Sequence, residues 1–133
     1  MNTLQILREG RALIADREKW TQGQYARMSP DLENAADGVG CSSASPSAVC
    51  WCSAGALRFL AMEAQLDEDG FTLDMWYKTP RHEQAEKDAN TILNRAASLA
   101  SGGDHNSIEG YNDSHSHAEV LAVWDSAIIT AGG

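Results

Sequence analysis

Cys52 is the residue best placed by type and context to act as a nucleophile. It closes the run Cys50-Trp51-Cys52 and is followed by Ser53-Ala54-Gly55-Ala56-Leu57, the start of the most apolar stretch in the chain. A thiol at a helix start is acidified by the helix dipole and by free backbone amides. His117, or His115, would then serve as general base, and Asn112 or Asp113 would orient the imidazole. Such a set would make a thiol hydrolase or transferase, and the catalytic candidates are therefore Cys52, His117, Asn112 and Asp113. Each also has a plain structural use. Free cysteine is among the most buried residue types and packs as a small hydrophobe. Ser45-Pro46 has the chemistry of a helix start, which places Cys52 a turn or more inside a helix and weakens its activation. Asn112-Asp113 sits in a loop ahead of a helix, where such side chains bond their own backbone. Asn112 can also bridge this loop to the segment after Trp20.

Other chemistries find less support. Asp104, His105, Asp113, His115 and His117 are possible zinc donors, but His115 and His117 straddle an expected helix cap. The sequence has no Cys-x-x-Cys and no pair of histidines one turn apart on a helix, so no metal site is assigned. The glycines around Asp37-Gly38-Val39-Gly40 lack the Gly-Lys-Ser/Thr of a phosphate loop, and no cofactor is expected. Asp67-Glu68-Asp69 lacks the spacing of a calcium loop.

The elements that must position these residues are mostly helical. Ile6, Leu7, Gly10, Leu13 and Ile14 give a helix over 3–17, capped by Asn2 or Thr3. Residues 18–30 have no period, and Trp20 and Tyr25 are expected to plug the core. Residues 36–47 are Gly/Ser-rich and read as a flexible loop. A second helix runs from Ser45-Pro46 to about Leu66, with Gly55 admitting a neighbouring helix. Phe71, Leu73, Met75 and Tyr77 alternate like a short β arm or hairpin. Thr79-Pro80 opens a third helix carrying Ala85, Ala89, Ile92, Ala96 and Leu99 on its face, ended by Ser101-Gly102-Gly103. Ser116-His117-Ala118-Glu119 is a capping box for a last helix with Leu121, Trp124, Ile128 and Ala131 in its stripe, joined by Val120 and Ala127. The fold class is mostly α, a compact single domain over 1–133 of about four helices with irregular connections. Trp20, Trp51, Phe59, Leu121 and Trp124 are its expected core.

Composition bounds the partners. The 133 residues hold 10 basic and 19 acidic side chains, a net charge of −9. Residues 1–35 balance five bases with five acids, whereas 104–133 carry five acids and no lysine or arginine. Such a surface repels phosphate backbones, so direct nucleic-acid binding is not expected, although a basic groove on another protein would attract it. No apolar run is long enough to span a bilayer, so no membrane partner is expected. Three cysteines without a secretion signal suggest reduced thiols and a cytoplasmic location.

Three ordered segments carry a resemblance. They are Leu13-Ile14 with Trp20-Thr21-Gln22-Gly23 and Tyr25-Ala26-Arg27; Ala48-Val49 with Trp51-Cys52 and Gly55-Ala56-Leu57; and Tyr111-Asn112-Asp113 with His117-Ala118-Glu119-Val120-Leu121 and Ala127-Ile128. With these the sequence resembles a family of small bacterial and phage proteins classed as a domain of unknown function. Ser116 stands where members usually carry threonine, and Tyr111 stands at a position often aromatic. The resemblance implies a phage or prophage source, with the bacterial host cytoplasm as location, and no particular reaction. The function expected is a small protein-binding or accessory module. The alternatives are a Cys52-dependent enzyme and an acidic nucleic-acid mimic that occupies a host protein.

Overall fold

The computed structural model describes residues 2–28, 40, 41, 43, 45, 48–69 and 83–133, with backbone alone for 63–69. Five helices are described: α1 (Thr3–Ile14), α2 (Ser53–Asp69), α3 (Glu83–Ala100), α4 (Ile108–Ser114) and α5 (His117–Thr130). A 3-10 turn at Arg17–Lys19 and three short strands, β1 (Ala26–Arg27), β2 (Gly40–Cys41) and β3 (Cys50–Trp51), complete them. The fold is mostly α, as expected, with one helix more than the periodicity shows.

Both ends of the chain are set by local chemistry. Asn2 caps α1 through a capping box with Gln5, both bonds at 2.9 Å. The Ser116–Glu119 box opens α5 as expected, at 3.1 and 3.2 Å. Gly102 and Gly103 take φ of +64° and +92°, and Gly103 N donates to Ser98 O at 2.9 Å, a Schellman-type end to α3. Two helix faces differ from expectation. On α3 the buried residues are Ala89, Leu93 and Ala97, while Leu99 is 76% exposed. On α5 they are Val120, Val123, Trp124 and Ala127, with Leu121 and Ile128 at the flanks. In both helices the apolar arc is wider than the true contact line, so spacing alone leaves its centre open.

The start of α2 is the main correction. Ala48 and Val49 are outside any helix, Cys50–Trp51 form a strand, and α2 begins at Ser53 rather than near Pro46. β1 lies between its partners in the order β2-β1-β3, both pairings antiparallel, with Ala26 opposite Cys41 and Trp51. Trp20 bridges to Trp51, and Thr21 N donates to Trp51 O at 3.1 Å. The segment after α1 is therefore stitched to the strand that leads into α2.

The core packs Ile6, Leu7 and Ile14 of α1 with Leu57, Leu60 and Ala61 of α2, Leu93 of α3, Ile108 of α4 and Trp124 of α5. Trp20 and Trp51 close it from the irregular side, whereas Tyr25 is 53% exposed and does not enter it. Phe59 is half-buried against Trp51, with ring centroids 4.8 Å apart. Gly55 admits the backbone of Tyr25, not a helix: a Cβ there would overlap Tyr25 O. The alternating segment Phe71–Tyr77, the Thr79-Pro80 helix start and most of the 36–47 loop lie outside the described residues. Among the described residues no helix is long and apolar enough to cross a membrane.

Candidate functional site

Asn112 and Asp113 lie on helix α4 rather than in the expected loop, and Asn112, with no exposed surface, serves as a node. Its Oδ1 accepts from Trp20 Nε1 at 2.8 Å, from Ser53 N at 3.1 Å and from Ser53 Oγ at 2.9 Å. The Ser53 hydroxyl accepts in turn from Trp124 Nε1 at 3.0 Å. Asn112 Nδ2 donates to Thr21 O at 3.0 Å and to Asp113 Oδ1 at 3.2 Å. Three donors on one side and a carbonyl on the other fix the amide's orientation. Around it, Gln22 Nε2 donates to Asn112 O and His115 O, and Gly23 N donates to Asp113 Oδ1 at 2.9 Å. The network joins α2, α4, α5 and the 20–23 segment, and its bonds among Trp20, Thr21, Ser53, Asn112 and Trp124 are buried, where an unmet polar group costs about 1–3 kcal/mol.

Cys52 occupies the capping position of α2: its carbonyl accepts from Ala56 N at 2.9 Å and its sulfur from Gly55 N at 3.3 Å. It is thus nearer the helix start than the Ser45-Pro46 signal implies. Activation does not follow. Burial pushes the thiol up to about 12, with Asp113 and Glu109 adding to the rise and the helix amides opposing it. Cys52 and Asp113 line one small pocket of about 120 Å³ with Gly23, Gln24, Tyr25 and Glu109.

His117 is not among that pocket's lining residues. Its Nε2 meets Ile14 O at 2.6 Å, so that nitrogen carries the proton, since a carbonyl only accepts. The ring packs 5.2 Å from Trp20. His117 thereby closes the C-terminal end of α1. His115 stacks on Tyr111 at 3.7 Å, and Ser114 Oγ sits 3.1 Å from both His115 Nδ1 and His105 Nε2. Among the described residues no three His, Cys, Asp or Glu side chains are placed to hold a metal ion.

The motif residues are now placed: Trp20, Thr21, Gln22, Gly23, Asn112 and Asp113 meet at the node, and Trp51-Cys52 leads into it. The model of the Family of unknown function (DUF6197) matches residues 1–130. The chain belongs to this family. No curated protein and no solved structure matches it. As a DUF6197 member the chain inherits no stated activity.

The surface holds a larger cleft of about 510 Å³, lined by Tyr25, Ser43, Ala54, Leu57, Arg58, Glu86, Lys87, Asn90 and Glu109. It shares Tyr25 and Glu109 with the Cys52 pocket. Arg58 Nη1 lies 3.5 Å from Glu86 Oε2, which is buried and accepts no hydrogen bond. Burial holds the Glu86 carboxyl above its ordinary range. Glu109 raises the Tyr25 phenol, chiefly through its negative charge. None of these residues is among the catalytic candidates Cys52, His117, Asn112 and Asp113. Arg58 stands out in the sequence as the one basic residue of α2. Glu86 and Glu109 look like ordinary solvated charges, and no sequence signal separates them.

Proposed function

We propose that this DUF6197 member is a protein-binding module that meets its partner with the β1–β3 layer and the cleft beside it. One observation carries this. Five large apolar side chains are exposed among the described residues, and three of them, Tyr25, Met28 and Val49, flank these two short strands. Val49 N donates to Arg27 O at 2.9 Å, so Met28 and Val49 flank the same end of the pair. Tyr25 adjoins the other end, on a cleft that mixes charged and apolar side chains, and exposed apolar residues beside such a cleft are the composition of an interaction surface. A cytoplasmic, phage-related accessory role fits this reading and rests on the motifs and composition alone.

The runner-up is a cysteine-dependent hydrolase or transferase, with Cys52 as nucleophile and His117, Asn112 and Asp113 behind it. It draws support from the pocket that Cys52 and Asp113 share. The raised thiol and the engaged His117 Nε2 weigh against it. An acidic mimic of nucleic acid draws support from the net charge of −9 and requires binding that weakens steeply with salt.

The test is site-specific photocrosslinking in cells. Benzoylphenylalanine in place of Tyr25 is expected to trap one discrete protein, and the same probe in place of Leu99 is expected to trap none. Equal products from both positions, or none from Tyr25, would remove the proposal.

A further inference from the structure

We propose that the 510 Å³ cleft receives an arginine side chain of the partner protein, with Glu86 and Glu109 as acceptors and Tyr25 as its wall. This rests on the binding-module reading and names the chemistry of the contact. The cleft is within the roughly 300–1,000 Å³ range of small-ligand sites. Ala54 and Leu57 offer an apolar floor for the methylenes of a long side chain. The exposed Tyr25 ring offers a face to a guanidinium.

The balance of donors and acceptors selects a cation. Lys87 is already held by Glu83 at 3.1 Å. Glu109 makes no ion pair among the described residues, and its charge falls on the Tyr25 phenol. Glu86 has a cation beside it, but at 3.5 Å and without a hydrogen bond, longer than the about 2.7–2.9 Å of a good charge-assisted contact. Acceptors are therefore in surplus. The Arg58 side chain is 47% exposed while Glu86 is 17% exposed, so Arg58 is the movable member of the pair. A guest guanidinium would take its place against Glu86 and reach Glu109 and Tyr25 across the cleft. Arginine is favoured over lysine because a planar fork can bond a carboxylate and stack on a ring together.

The role of Arg58 separates this from anion binding. A site for a carboxylate or phosphate would use Arg58 and Lys87 and would be lost in Arg58→Gln. A site for arginine would be strengthened, because Glu86 is released. The experiment is a titration of the ¹⁵N-labelled full chain with N-acetyl-arginine N-methylamide, with the citrulline analogue and N-acetyl-aspartate N-methylamide as controls. The arginine probe is expected to shift the amides of Tyr25, Leu57, Glu86, Asn90 and Glu109, with a dissociation constant of about millimolar. Citrulline should shift none of them. Glu109→Gln should weaken binding about ten-fold with an unchanged melting temperature, and Arg58→Gln should tighten it. Shifts with the aspartate probe instead, or loss of arginine binding in Arg58→Gln, would overturn the proposal. A Tyr25 crosslink together with a cleft blind to arginine would refute this inference and leave the binding module standing.

Discussion

At the scale of single residues, placement and chemistry diverge most at Cys52. It has the helix start that acidifies a thiol and the burial that does the opposite, and burial wins, pushing it up to about 12. Alkylation by iodoacetamide at pH 8.5 should therefore be about a thousand-fold slower for native Cys52 than for the unfolded chain, read by mass spectrometry of digested protein. Half-buried Cys41 should react before it. The sign of the linkage follows. The folded state favours the neutral thiol, so the unfolded chain, with a thiol pKa near about 8.5, ionises first. The Cys52 contribution is complete below about pH 8.5 and is lost as pH rises towards about 12. Urea midpoints measured from pH 7 to 10 should fall with pH, and less steeply in Cys52→Ala. A flat profile in the parent chain would contradict the raised thiol. Cysteine type and spacing were legible in the sequence, but desolvation depends on what covers the sulfur, and the covering residues come from distant segments.

At the scale of elements, local signals were legible wherever the physics is local. The Asn2–Gln5 and Ser116–Glu119 boxes and the Gly102-Gly103 stop are short-range hydrogen-bond devices, and the sequence spells them out. The start of α2 was not legible. Pro46 suits a helical first turn, but Cys50–Trp51 gains two strand partners through β1 and Trp20, so tertiary pairing overrides the local preference. Helix α4 has seven residues, too few for a period to show. Gly55 was legible as a close approach, but its partner is the Tyr25 carbonyl, which also accepts from Cys52 N at 3.2 Å. Gly55→Ala should therefore cost about 3 kcal/mol or more, since backbone cannot give way as a side chain can. Thermal melting would read this as a large drop in midpoint, and a shift within that of an exposed Ser126→Ala control would refute it.

At the scale of the whole molecule, one buried amide ties together segments far apart in sequence. Trp20, Ser53, Asn112 and Trp124 come from the three motif segments and from α5, and their side-chain polar atoms are hydrogen-bonded among themselves and to Thr21 and Asp113. The bridge from Asn112 to the segment after Trp20 was legible as an idea. Its completion through Ser53 and Trp124 was not, because nothing in the sequence marks a serine as the link between an indole and an amide. The family motifs are in this view the assembly chemistry of the fold, and Tyr25, Glu86 and Glu109, the residues proposed to meet a partner, line one cleft. Equilibrium urea unfolding of Asn112→Ala, followed by far-UV circular dichroism and tryptophan fluorescence, is the most direct test. The substitution takes the Oδ1 acceptor away from Trp20 Nε1 and Ser53 N, so a loss of about 3 kcal/mol is expected, with both probes shifting together. A stability within about 0.5 kcal/mol of the parent chain would contradict the node as the centre of the fold.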